Sequence, residues 1–380
     1  MGVTALAART VHARFVREDL KVALVPWVVS RGIVVGALMT ARFLQDELAI
    51  LPKPVQLSQG LFAWDAAWYR TIAEHGYGFD LGETIRFFPL VPLLSRGLGI
   101  VFLGHEGVAL IVIANLSALV FAALLHRLTL VETGDAGTAA RAAWFGVIAS
   151  PAVALVLGYA EATAMALAVG VFRAIRTRRW PLAIVLGLLV GLCRPVGVVL
   201  AAPLLVEAIS GWRDAATRER VERVAAVGAP VVGMGLYLAY VGIEFGDAFK
   251  PFSIQNRATL RGGFEDPFSR LARAFEDMIG GDRFGSGVHF LWALLFLVLL
   301  VVVFRTLPRS YAVYCSVTLV LGLSASNLDS FERYCIGAFP FLIALAVCTR
   351  PREAERAALT LSAVGLFGYS LLAFFGSSVP

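Results

Sequence analysis

Residues 107–125 read GVALIVIANLSALVFAALL, without one charged side chain between Glu106 and Arg127. A helix needs about 20 such residues to cross the hydrocarbon core of a bilayer. Comparable apolar runs cover 21–43, 106–128, 139–157, 160–176, 180–193, 195–209, 223–243, 286–305, 309–326, 332–349 and 354–376. The chain is 58% hydrophobic and 16% charged, where a soluble domain carries about 25% charged residues. These features predict an all-α polytopic membrane protein, a bundle of about eleven transmembrane helices within a range of roughly nine to twelve. The whole chain, 1–380, reads as one membrane domain. Residues 1–20 form an arm, 44–105 a long first loop with juxtamembrane helices, and 244–285 a second large loop.

The net charge of +6 does not point to nucleic acid, because the arginines cluster in short loops between apolar runs. Loops of that kind set topology and meet anionic lipid. The segment 86–104 decides the direction of the bundle. If it does not cross, the clusters Arg173 to Arg179, Arg213 to Arg223, Arg305 with Arg309, and Arg350 to Arg356 all fall on the cytoplasmic side, as the positive-inside rule requires. If it crosses and the other spans stand, every cluster flips outward. The first arrangement is preferred. It places the N-terminus in the cytoplasm and gathers the 44–85 loop, the Gly158-Tyr159-Ala160-Glu161 turn, the Arg194-Pro195 break, the 244–285 loop and Phe331-Glu332-Arg333-Tyr334 on the outer face. Scattered structural polar residues would have no reason to agree in this way. Cys193, Cys315, Cys335 and Cys348 lie in or beside apolar runs without CxxC spacing and read as packing residues. Arg31 and Asn115, within spans, read as helix-packing contacts.

Chemistry concentrates in Trp64-Asp65-Ala66-Ala67-Trp68-Tyr69. On a helix, Trp64 and Trp68 stand four apart, as do Asp65 and Tyr69, so one turn carries two indoles beside a carboxylate. Indoles suit the C–H faces of a sugar ring, and an aspartate beside an attacking hydroxyl can act as general base. The plain alternatives are a helix cap for Asp65 and an interfacial belt for the tryptophans. Glu161 opens a span, where the helix dipole favours a carboxylate. Arg194-Pro195 breaks a long apolar stretch, a device tolerated at membrane depth mainly beside a cavity. Arg194, Arg333 with Tyr334, and Arg86 are candidates for a phosphate, or for anchors at the headgroups. Glu74 and His75 follow on the same helix; His75 has no second ligand at metal spacing. Gln255 in the second loop borders the same region. No Walker loop, dinucleotide fingerprint, GxSxG elbow or HExxH occurs, so a sugar donor would have to arrive through the membrane.

At Trp64-Asp65-Ala66, Ile72-Ala73-Glu74-His75-Gly76-Tyr77, Phe87-Phe88-Pro89, Ser150-Pro151-Ala152, Gly158-Tyr159-Ala160-Glu161, the Arg194 element and Arg333-Tyr334, the chain resembles the PIG-V family. That family contains the second mannosyltransferase of GPI-anchor assembly and its bacterial relatives, within the GT-C glycosyltransferases. The matching pieces run in family order across about three quarters of the chain; Ala160 stands where the family often has Ser or Thr, and Pro195 where some members carry Ser. The resemblance implies a GT-C bundle, a polyprenyl-phosphate-mannose donor, inverting transfer to a lipid-linked or envelope acceptor (glycolipid, lipoglycan or protein), and Asp65 as base. It implies no cofactor beyond the lipid-linked donor and leaves metal dependence open. Its implied place is the cell membrane, with the active site extracytoplasmic. A transporter or flippase of a lipid-linked sugar is the alternative, since a broken helix and an intramembrane arginine suit that class too. Against it stand the lack of paired repeats and the aromatic-flanked aspartate. A non-catalytic assembly subunit is a third reading.

Overall fold

The computed structural model of the protein describes residues 17–48, 52–78, 82–282 and 285–377. The expected arm lies outside the described residues up to position 16. Helix α1 (Arg17–Glu47) is followed by two short helices, α2 (Val55–Gln59) and α3 (Asp65–His75), and by α4 (Leu90–Gly99). At 1.5 Å per residue α4 is roughly 15 Å long, half the thickness of a bilayer core. It packs beside α3 and α5 (Glu106–Thr133) and leaves Leu93 and Leu94 exposed. Helix α4 is therefore too short to cross a bilayer core by itself.

The chain continues through α6 (Ala136–Ile148), α7 (Glu161–Arg176), α8 (Trp180–Cys193), α9 (Ala201–Ile209) and α10 (Thr217–Phe245). The second large loop holds α11 (Lys250–Gln255) and α12 (Pro267–Ile279). The chain ends in α13 (Val288–Thr306), α14 (Arg309–Leu323), α15 (Phe331–Gly337), α16 (Pro340–Cys348) and α17 (Arg352–Phe374). A lone antiparallel bridge, Phe264 with Ala325, is the one β pairing among the described residues. Large apolar side chains face outward along these helices, among them Val28 and Phe43 on α1, Val298 and Phe304 on α13, and Leu361 and Val364 on α17. So much exposed apolar surface is stable only in lipid. The protein is an all-α polytopic membrane protein.

Among the described residues, five helices are long and apolar enough to cross: α1, α5, α10, α13 and α17. A sixth is added if α15 and α16, bent by 89°, form one span. Length and composition alone thus support fewer spans than the eleven or so apolar runs. Part of the difference comes from short helices, Glu161–Arg176 and Arg309–Leu323, and part from prolines, which lack the N–H that a helix needs and push the preceding residue out of helical conformation. The 139–157 run stops at Ile148 and resumes as a 3-10 turn, Ser150–Leu155, around Pro151. The 180–209 stretch breaks at Arg194-Pro195, and 332–349 breaks before Pro340.

Contacts at the helix ends give the bundle two chemically distinct poles. At one, Arg176 pairs with Glu132 at 2.7 Å, Tyr311 donates to the same carboxylate at 3.1 Å, and Arg223 lies over the Trp180 ring. Arg141 donates to the Ala346 carbonyl at 3.0 Å, and Arg127 pairs with buried Asp19 at 2.9 Å. Every arginine cluster assigned to the cytoplasm from charge counting has members or sequence neighbours at this pole. The N-terminus of α7 and the break after α8 lie at the other. Between them, Arg31 donates to Asn115 at 2.8 Å and to the Leu155 carbonyl at 2.8 Å, joining α1, α5 and the turn after α6.

Candidate functional site

Asp65 opens α3 at the pole opposite the arginine clusters. The residue before it, Trp64, has φ of 59°, and Ser330, just before α15, has φ of 62°. Positive φ costs a non-glycine residue about 1–3 kcal/mol and clusters at functional sites. The helices that carry Asp65 and Arg333 are therefore each started by a strained residue. Trp64 is held there by its indole N–H, which donates to the Ala373 carbonyl at 2.9 Å. Its ring is thereby tied to the C-terminal helix.

The Asp65 Oδ2 accepts from Arg333 Nη1 at 3.1 Å, and the same nitrogen stands 3.2 Å from Glu161 Oε1. Glu161 Oε1 is also in contact with Arg194 Nη1. Four side chains from α3, α7, the break after α8 and α15 thus alternate in sign: Asp65, Arg333, Glu161, Arg194. Glu161 and Arg333 are almost fully buried, while the Asp65 side chain keeps 19% of its surface accessible. Asp65 is the most accessible of the four. Its Oδ1 makes no hydrogen bond among the described residues. The Asp65 backbone N–H donates to the buried Tyr159 hydroxyl at 3.3 Å.

Rings surround this row. The Arg333 guanidinium lies 5.3 Å from the Tyr159 ring centre and 5.2 Å from that of Tyr334; Arg194 is 5.5 Å from Tyr334. Arg261, from the second loop, lies closest to Tyr334 at 4.2 Å. Its loop is pinned by the Asn327 amide, which donates to the Leu260 carbonyl at 2.7 Å, and by the Asn327 backbone N–H, which donates to the Arg261 carbonyl at 3.0 Å. Beneath the row lies a cavity of about 50 Å³ lined by Glu161, Arg194, Arg333 and Tyr334. Glu161 Oε2 and Arg333 Nε are buried beside it with no hydrogen-bond partner among the described residues. A space of that size suits water or an oxyanion atom.

The structure thus brings together Asp65, Glu161, Arg194, Arg333 and Tyr334. Tyr69 is close enough to feel the charges of Arg194, Glu161 and Asp65, and burial pushes its phenol well above the usual range, so it stays a neutral hydroxyl. Phe87 bridges outward: its ring meets Tyr69 at 5.0 Å and Trp68 at 6.4 Å. Arg86 lies over Phe87, pairs with Glu83 at 2.9 Å and donates to Gln255 at 3.5 Å. Arg86 and Gln255 thus form a second polar cluster beyond the Phe87 ring. Glu74 pairs with Arg70 at 2.6 Å. With His75 it stands at the far end of α3, roughly 13–15 Å along the axis from Asp65. Sequence reasoning passed over Tyr159, whose adjacency to Glu161 was a signal, and Arg261, which has no local signal.

No protein-family model matches the chain, and no curated protein matches it. Among solved structures, ArnT from Cupriavidus metallidurans, bound to undecaprenyl phosphate, is similar at 15% identity over 82% of this chain and 71% of that one, with a TM-score of 0.49. The Archaeoglobus fulgidus oligosaccharyltransferase AglB, in complex with an inhibitory peptide and a dolichol-phosphate, is similar at 12% identity, 96% and 56% coverage and a TM-score of 0.46. The same archaeal enzyme with Zn and sulfate gives 13% identity, 91% and 52% coverage and 0.43. The chain spans about half the length of the archaeal enzyme. With TM-scores below 0.5, the site's chemistry stands on this chain's own residues.

Proposed function

We propose that this protein is a membrane glycosyltransferase of the GT-C kind, drawing its sugar from a polyprenyl-phosphate donor with Asp65 as general base. The single observation behind this reading is the Asp65 carboxylate, fixed through Oδ2 by Arg333 and open through Oδ1. An acceptor hydroxyl gives its proton to Oδ1 while its oxygen bonds to the anomeric carbon. The bond from that carbon to the phosphate oxygen breaks, and the configuration inverts. The leaving phosphate is already ionised, so it needs cations and no proton donor.

Charge bookkeeping selects the cation. Arg194 and Arg333 are balanced by Glu161 and Asp65, so the four sum to zero. Arg261 pairs with no carboxylate among the described residues and makes the group net positive. It is the side chain offered to the phosphate, and it shares the Tyr334 ring with the other two guanidinium groups. Mannose as the sugar, and a glycolipid, lipoglycan or envelope protein as acceptor, rest on the motif resemblance to the PIG-V family. The extracytoplasmic position of Asp65 rests on the positive-inside rule applied to the opposite pole.

The test is turnover of purified polyprenyl-phosphate mannose with membrane lipid extract as acceptor source. Wild type should release polyprenyl phosphate. Asp65→Asn should fold normally and lose about 100- to 10,000-fold of the rate. Full retention of turnover in Asp65→Asn removes the base role, and lipid scrambling without turnover in wild type favours the transporter reading.

A further inference from the structure

A groove of about 880 Å³ runs between α5 and α8 with α7 as its floor, from Thr163, two residues past Glu161, towards the arginine pole. Its walls are apolar: Leu116 and Val120 from α5, Leu182 and Leu186 from α8, with Ala166 and Gly170 beneath. Leu116, Val120 and Leu182 are among the exposed large hydrophobics, so the groove opens sideways to the membrane. Along α7 its lining runs from Thr163 to Thr177, roughly 21 Å, which covers one leaflet and part of the second. Only one end carries charge. Arg173 and Arg179 line it there, close enough for each to feel the other's field.

A channel of this length with cations at its foot complements an amphiphile with an anionic head and long apolar tails. A polyprenyl-phosphate donor for the site above would need its phosphate at the Asp65 pole. Arg173 and Arg179 stand at the opposite pole, near the far end of the helix that Glu161 opens. We propose that this groove is a binding site for an anionic phospholipid of the arginine-side leaflet, its phosphate on Arg173 and Arg179 and its tails between α5 and α8. The exclusion of the donor lipid rests on the proposed reaction; the shape and charge of the groove do not.

The full chain in detergent is titrated with phosphatidylglycerol or phosphatidylcholine and followed by native mass spectrometry. Wild type should hold one phosphatidylglycerol through collisional activation and prefer it to phosphatidylcholine. Arg179→Gln should cut that preference about fivefold, the factor equivalent to ~1 kcal/mol per charge near an anionic lipid, and Arg173→Gln with Arg179→Gln should abolish it. Ala166→Phe, which fills the floor and leaves both arginines, should lose the retained lipid altogether. Equal retention of the two lipids by wild type overturns the proposal, as does unchanged retention in Ala166→Phe. Displacement of the lipid by polyprenyl phosphate, or a dimer mass that Ala166→Phe dissociates, assigns the groove to a different occupant and overturns it as well.

Discussion

Asp65 and Arg333 are 268 positions apart in the chain and 3.1 Å apart in space. The contact does two things at once. It locks α15 to α3, and it orients a carboxylate so that one oxygen stays open. Arg333 is also shared with Glu161, so its loss leaves Asp65 without its cation and Glu161 with Arg194 alone.

Arg333→Gln should therefore damage folding as well as activity. Removing one partner of a buried ion pair costs about 3–5 kcal/mol, and here Glu161, left to Arg194 alone, is buried. Arg333→Lys keeps the charge and loses the ability of one guanidinium to hold two acids. Thermal unfolding in detergent should rank wild type above Arg333→Lys and Arg333→Gln last. If Arg333→Gln unfolds at the wild-type temperature, the row of alternating charges does not support the fold.

Arg261 should behave in the opposite way. Its ring contact with Tyr334 is a partly exposed cation–π pair, worth about 0.5–1 kcal/mol, so Arg261→Gln should fold normally. It should raise KM for the lipid-phosphate donor more than it lowers kcat, and Arg261→Lys should recover part of the loss. A change confined to acceptor kinetics would remove Arg261 from the phosphate.

How much of this could be read from the chain depended on whether a residue's meaning is local. Apolar runs, the proline breaks at Pro195 and Pro340, and the carboxylate beside aromatic residues are local patterns, and each appears in the structure. Asp65, Glu161, Arg194 and Arg333 could be gathered at one pole because charge counting fixes the parity of every loop. Which acid meets which base is a matter of angstroms, so spacing could not say that Arg194 and Arg333 are already balanced by carboxylates. Arg261 is one arginine in a polar loop, and its place comes from Tyr334, far along the chain. A helical wheel assumes helical backbone, so spacing could not foresee the positive φ of Trp64 or its indole bond to Ala373.

The packing of α8 on α10 gives a sharp stability test. A Cβ added at Gly191 would collide with the Pro230 carbonyl, and one at Gly233 with the Leu188 carbonyl, both rigid backbone. These two glycines let the helices approach closely, as small residues do at membrane helix interfaces. Gly191→Ala should destabilise by about 1–3 kcal/mol, the range for overpacking. Gly228→Ala and Gly235→Ala, on the same helix as Gly233 but with open space at the Cβ, should be neutral or slightly stabilising. Thermal unfolding of the three variants separates a close approach from a general effect of helix propensity, because propensity alone would make all three stabilising.

The two poles make the orientation of the site measurable with one pair of probes. Ser58 lies on α2, in the loop that leads to Asp65, and Arg178 lies in the exposed turn between α7 and α8 at the arginine pole. Cys193, Cys315 and Cys335 are buried, so only exposed Cys348 has to be replaced first. In a Cys348→Ala background, Ser58→Cys should react with a membrane-impermeant maleimide on intact cells. Arg178→Cys should react only after permeabilisation, because arginine-rich loops are retained in the cytoplasm. Labelling of both on intact cells would break the two-pole topology. Labelling with the sides exchanged would keep the bundle but put Asp65 in the cytoplasm, where the leaflet assignments of both the donor and the groove lipid would have to be reversed.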